Sequence, residues 1–131
     1  MRSSHERNAV KLLVRKHTLT KTAEDLKAVL YARGFEVSQP FCMDLSARLY
    51  GYRNYDDFRG RPEPTEISPR DRHCDPATVR ARRLFQKAIM ADAGFREIAD
   101  IVLDIVEPNG PIRPRTLRGL HLRRHRLATG Q

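Results

Sequence analysis

The chain has 131 residues, with 25 Lys and Arg against 16 Asp and Glu, a formal net charge of +9 and a pI near 10.2. That length suits one compact domain with tails, or two very small helical units. The cationic surplus favours an acidic partner through counterion release, while nine aromatic residues without a Trp leave no material for large stacking platforms.

A first helix is expected over residues 4–17, capped by Ser4, with Ala9, Leu12, Leu13 and Lys16 at helical spacing and Val10 and Val14 widening the stripe. A second begins at Thr20 or Thr22, whose hydroxyl would cap it, and carries Glu24 and Asp25 in its first turn, where the helix dipole favours acids. Ala23, Leu26, Val29 and Leu30 form its inner face, and Gly34 ends it so that Phe35 can fold back on the last turn. Ser38 caps a third helix with Pro40 in its first turn, Phe41, Cys42, Met43, Leu45 and Leu49 as apolar positions and Gly51 as its stop. Asn54 opens a short turn of helix in which Tyr55 and Phe58 cover the core.

Residues 61–75 hold three prolines among charges and read as a linker or exposed loop. Asp75-Pro76 is an N-cap and N1 pair for a fourth helix to about Ala93, with Ala77, Ala81, Leu84, Phe85, Ala88 and Ile89 inward. Gly94 breaks it, and a fifth helix over 95–106 presents Ile98, Ile101, Val102 and Ile105 before Pro108-Asn109-Gly110-Pro111. The expected fold is all-α: a small bundle of about five helices with a basic, poorly packed C-terminal tail. Its parts are an N-terminal helical module (1–60), the linker (61–75), a helical pair (76–110) and the tail (111–131).

One segment carries a resemblance. Residues 26–30, Gly34-Phe35-Glu36-Val37-Ser38 and Leu45-Ser46-Ala47-Arg48-Leu49-Tyr50-Gly51-Tyr52-Arg53-Asn54-Tyr55-Asp56-Asp57-Phe58 resemble the short helical "glyoxalase-related protein" module of uncharacterised bacterial, plasmid and phage proteins. The likeness covers about residues 20–60, and Pro40-Phe41 departs from the polar residues common after the cap. It implies a mobile-element context and no reaction. The metal-binding His and Glu of true glyoxalases have no counterpart here.

The charge is concentrated. Residues 111–131 hold six arginines, Arg113, Arg115, Arg118, Arg123, Arg124 and Arg126, and no acid. Guanidiniums without carboxylates suit bidentate phosphate contacts; a solubilising tail without a partner would look the same. On the fourth helix Arg80, Arg83 and Lys87 recur at helical spacing and could track phosphates, against the alternative of a solvated face balanced by acids on the next helix. The pair of helices 22–33 and 39–50 could be a helix-turn-helix reading bases through Gln39, Asp44, Ser46 and Arg48, although one Asp and one Arg make a poor recognition face. His73-Cys74 with Cys42, His5 and His17 lack the paired spacing of a zinc site. Asp56-Asp57 and Asp100/Asp104 read as cap chemistry and a helix edge, so no acid–base pair is expected.

No apolar run approaches the roughly 18 residues a membrane span needs, and residues 1–7 are polar. The expectation is a cytoplasmic protein with free thiols, no metal, no cofactor, no membrane partner and no enzymatic activity. Its expected function is nucleic-acid binding, DNA before RNA, as an accessory or regulatory protein, with a homodimer left open. The competing class is a non-enzymatic adaptor or inhibitor docking on an acidic or nucleic-acid-handling host protein, anchored by Tyr50, Tyr52 or Tyr55.

Overall fold

Side-chain caps set where three of the helices begin. In the computed structural model, which describes residues 11–111, Ser38 Oγ accepts from Phe41 N at 3.2 Å, Asn54 Oδ1 from Asp57 N at 2.8 Å and Asp75 Oδ1 from Thr78 N at 2.8 Å. Each satisfies one of the orphan donors of a first turn. The helices are α1 (Lys16–Ala32), α2 (Gln39–Leu49), α3 (Tyr55–Arg59), α4 (Pro76–Asp92) and α5 (Ala99–Val106), with 3₁₀ turns at Asp71–His73 and Arg96–Ile98. There is no strand among the described residues, and the all-α expectation holds. Residues 4–10 of the expected first helix, Ser4 included, and the tail from residue 112 lie outside the described residues.

The beginning of α1 differs from expectation. Residues 11–15 lie outside any helix, because distant partners take their backbone groups. Leu12 N donates to Tyr50 O at 2.8 Å, and Leu12 O accepts from Tyr52 Oη at 3.0 Å. Leu13 exchanges two bonds with Ser68, each 2.8 Å. The helix therefore starts at Lys16 with Arg15 at the N-cap and no side-chain cap bond. Thr22, expected as a cap, is instead buried inside α1. The other end of α1 follows the sequence: Gly34 takes φ 95° and Phe35 N reaches back to Leu30 O at 2.8 Å.

Two apolar clusters hold the bundle. The larger joins Leu26 and Leu30 of α1, Leu45 and Leu49 of α2, Met90 of α4, Phe95, and Ala99, Val102, Leu103 and Val106 of α5. Each large aliphatic side chain taken out of water there contributes about 1.5–3 kcal/mol. The helices before and after residues 61–75 thus pack on one another. The smaller cluster places Leu12, Val14, Leu19, Ala47, Tyr50, Tyr52 and Phe58 together.

The inner faces of α4 and α5 are rotated from those expected. On α4 the buried residues are Arg82, Gln86 and Met90, whereas Ala77, Ala81 and Ala88 are exposed and Leu84 is 67% exposed. The reason is polar. Gln86 Nε2 donates to Leu49 O at 3.1 Å, and Arg82 Nη1 donates to Pro69 O at 2.8 Å and Asp71 Oδ1 at 2.9 Å. Those bonds give the buried amide and guanidinium of α4 partners in two backbone carbonyls and a carboxylate. On α5, Ala99, Val102, Leu103 and Val106 point inward, leaving Ile101 and Ile105 exposed.

Tyr50 links the pieces. Its hydroxyl donates to Pro108 O at 2.7 Å, so the 2.7 Å contact with Thr22 Oγ1 has the threonine as donor. Burial pushes the phenol up to about 12, a hydrogen bond from Thr22 acting the other way. We expect Tyr50→Phe to cost about 1–3 kcal/mol, because it leaves the Pro108 carbonyl and Thr22 hydroxyl buried and unpaired. Urea unfolding with an unchanged m-value checks this, and a change within a few tenths of a kcal/mol would contradict it.

Candidate functional site

The cations singled out on α4 meet acids from α5. Arg83 spans two carboxylates, Nη1 to Asp100 Oδ1 at 2.9 Å and Nη2 to Asp104 Oδ1 at 2.7 Å, and Lys87 Nζ lies 3.1 Å from Asp100 Oδ2. Both pairs of residues are one turn apart on their helices, so they form a ladder of two cations and two anions. Hydrogen bonds from Lys87 and then Arg83 hold the Asp100 carboxyl below its ordinary range. Burial pulls the Arg83 guanidinium down, but its bonds to Asp104 and Asp100 outweigh that and raise it. Arg80, one turn before, is exposed and makes no close ion pair among the described residues, although its charge adds to the Thr78 hydrogen bonds that lower the Asp75 carboxyl at the start of the helix. Arg82 belongs to the interior, in a largely buried pair with Asp71. The α4 stripe is therefore not a uniform row: Arg80 is open and Arg83 and Lys87 are engaged.

The other candidate residues separate. Ser46 is fully buried and donates to Leu19 O at 2.7 Å. Asp44 accepts from Tyr55 N at 2.9 Å, and Arg48 pairs with Asp92. Of the four positions that a helix-turn-helix would use, only Gln39 presents an exposed side chain without such a bond among the described residues. Cys42 is buried, with its thiol pushed up by burial, and among the described residues no group of three His, Cys, Asp or Glu could hold a metal. Asp57 is held low by the backbone N–H of Arg53 and by Arg61, which fits its place beside the Asn54 cap. Arg113, Arg115, Arg118, Arg123, Arg124 and Arg126 lie outside the described residues.

Two of the three aromatic anchors expected of an adaptor are corrected, and the third, Tyr55, is half-buried. Tyr50 and Tyr52 are core residues, and the polar tip of each is used internally. Tyr52 has Lys11 and Arg61 over its ring at 5.2 and 5.4 Å, and Arg59 lies 5.9 Å from the Tyr55 centroid. Exposed rings occur instead at Tyr31, Phe35 and Phe41, the last two packed edge-on against Phe95 with centroids 5.3 and 6.2 Å away.

A cavity of about 530 Å³ opens between α4 and the turn that follows α5. Arg80, Arg83 and Lys87 all border it, together with two buried polar residues that pattern reading overlooked, Gln86 and Asn109. A polar residue facing inward from an apparently solvated helix side leaves no periodic signal, and Asn109 reads from sequence only as turn chemistry. No protein-family model, curated protein or solved structure matches the chain. No helix among the described residues is long and apolar enough to cross a membrane.

The lowered Asp100 pKa fixes a sign. A carboxyl depressed in the folded state stabilises at pH values above its unfolded value, about 3.9, and that contribution disappears as pH falls through the folded value. We expect Asp100 to titrate below about 3.9 in a carboxyl NMR titration, and to move upward in Lys87→Met. An unmoved titration would mean that the ladder does not form in solution.

Proposed function

We propose that this protein is a nucleic-acid-binding accessory or regulatory protein of a mobile element or phage, cytoplasmic and non-enzymatic, with binding led by its arginine-rich tail. The observation that carries this reading is the separation of charge. Residues 11–111 hold 17 basic and 15 acidic side chains, nearly balanced, whereas residues 111–131 hold six arginines and no acid. The stretch that carries Arg113, Arg115, Arg118, Arg123, Arg124 and Arg126 contains no acid of its own, a composition that suits guanidinium–phosphate contacts. On the body, Arg80 supplies the open contact. Arg83 and Lys87 contribute only where phosphate displaces Asp100 and Asp104, which makes them secondary. Duplex DNA is preferred to RNA as the first substrate to test.

A second reading draws support from the exposed Tyr31, Phe35 and Phe41: an adaptor or inhibitor docking on an acidic host protein, since aromatic and arginine anchors dominate protein interfaces. The two separate in a salt titration of duplex binding. For the full chain, six phosphate contacts give a slope of log K against log salt of about −5. Replacing the six tail arginines with glutamine in the full chain removes most of that slope and weakens binding throughout. Equal slopes for the two proteins would exclude the tail as the phosphate-binding element and favour the adaptor.

A further inference from the structure

We propose that the cavity between α4 and the turn after α5 is a binding site for one nucleotide unit, with the base inside and its single phosphate on Arg80. This rests on the nucleic-acid reading and gives it a second, non-electrostatic contact. The cavity volume, about 530 Å³, lies within the range of small-ligand sites. Leu103 and Pro108 supply apolar wall, and Leu84, 67% exposed, stands at its edge as an apolar surface without a partner helix.

The polar groups favour a hydrogen-bonding aromatic ring over a plain hydrocarbon. Asn109 is only 5% exposed, and its carboxamide makes no hydrogen bond among the described residues. A buried amide without a partner is costly unless something else supplies the bonds. Gln86, 3% exposed, gives its Nε2 to Leu49 O, which leaves Oε1 as an acceptor. Asn and Gln carboxamides offer donors and acceptors that match base edges, adenine best of all. The turn carrying Asn109 is fixed on three sides: Gly110 N bonds Glu107 O at 2.9 Å, Asp71 N bonds Asn109 O at 3.0 Å, and Tyr50 holds Pro108 O. Gly110 takes φ 83°, a conformation that a side chain would strain, so the turn depends on glycine there.

Charge limits the ligand to one anionic group. Three acids border the cavity, Asp71, Asp104 and Glu107. Asp71 is paired with Arg82, Asp104 with Arg83, and Lys87 is spent on Asp100. Arg80 is the bordering cation that no carboxylate holds in a close ion pair among the described residues; its charge only adds to the Thr78 hydrogen bonds that lower the Asp75 carboxyl at the start of α4. A guanidinium in that position takes one phosphate in bidentate fashion, whereas a triphosphate would set its further charges against the acids. A monophosphate is also the repeating unit of a polynucleotide strand.

The test titrates the full chain separately with AMP, GMP, CMP and UMP at low salt, following the side-chain amide resonances of Asn109 and Gln86. The expected result is saturable movement of both amides with at least one nucleotide, AMP first, and about tenfold weaker binding of the matching nucleoside, as loss of one charged contact implies. Arg80→Gln should abolish that phosphate advantage while leaving nucleoside binding unchanged. Leu84→Asp, at an exposed position that tolerates a polar side chain, should weaken nucleotide binding at least about tenfold through repulsion of the phosphate. No saturable shift with any of the four nucleotides, or equal affinity in Leu84→Asp with the fold intact, would overturn the site. The six-glutamine tail protein separates the two readings, since it should bind nucleotide like the parent. Duplex binding with an empty cavity sinks the site alone, and a filled cavity with no duplex binding sinks the polyanion reading alone.

Discussion

The phenol of Tyr50 is the point through which the segment before α1, α1 itself, α2 and the turn after α5 are held in one arrangement. Its ring fills the smaller cluster, its carbonyl receives Leu12 N, and its hydroxyl lies between Thr22 and Pro108 O. A hydrogen bond of this kind adds only about 1 kcal/mol net in exchange for water. Its larger effect is selective. Any arrangement that moved the turn away from α1 would break the Tyr50–Pro108 bond and leave the hydroxyl only Thr22, and that penalty disfavours competing packings.

The polar seam of α4 acts in the same manner. Arg82 and Gln86 occupy positions where a two-layer helix bundle would ordinarily place aliphatic side chains, and they reach the backbone of α2 and of the 68–71 segment. Breaking a buried pair such as Arg82–Asp71 by removing one partner generally costs more than replacing both with apolar groups. The seam therefore fixes which part of α4 faces inward, and so determines that Arg80, Arg83, Leu84 and Lys87 surround the cavity. Core specification and site construction are one event on this helix.

Features governed by short-range chemistry were legible in the sequence. Ser38, Asn54 and Asp75 cap as expected because each bond spans three residues, and Gly34 ends α1 because no distant group competes for that turn. Features governed by remote partners were not. Residues 11–15 carry a helical pattern, yet Tyr50, Tyr52 and Ser68, 38 to 55 residues away, claim their backbone groups. The Ala77–Ile89 stripe was periodic, yet Arg82 and Gln86 won the inner positions through carbonyls and a carboxylate that no local window contains. The candidate site divides along the same line. Charge segregation toward the tail is a matter of counting, whereas the engagement of Arg83 and Lys87 depends on Asp100 and Asp104 meeting them across two helices.

The Tyr50–Pro108 bond also imposes an order on synthesis. The carbonyl that receives the Tyr50 proton is made 58 residues after the tyrosine. At about 5–20 residues per second, several seconds separate the two. Through that interval α1 and α2 can pair, but the hydroxyl has only Thr22 or water, and Leu26, Leu30, Leu45 and Leu49 lack the cover of α5. The nascent N-terminal half therefore shows the ribosomal surroundings an apolar face whose concealment waits on the last helix of the bundle.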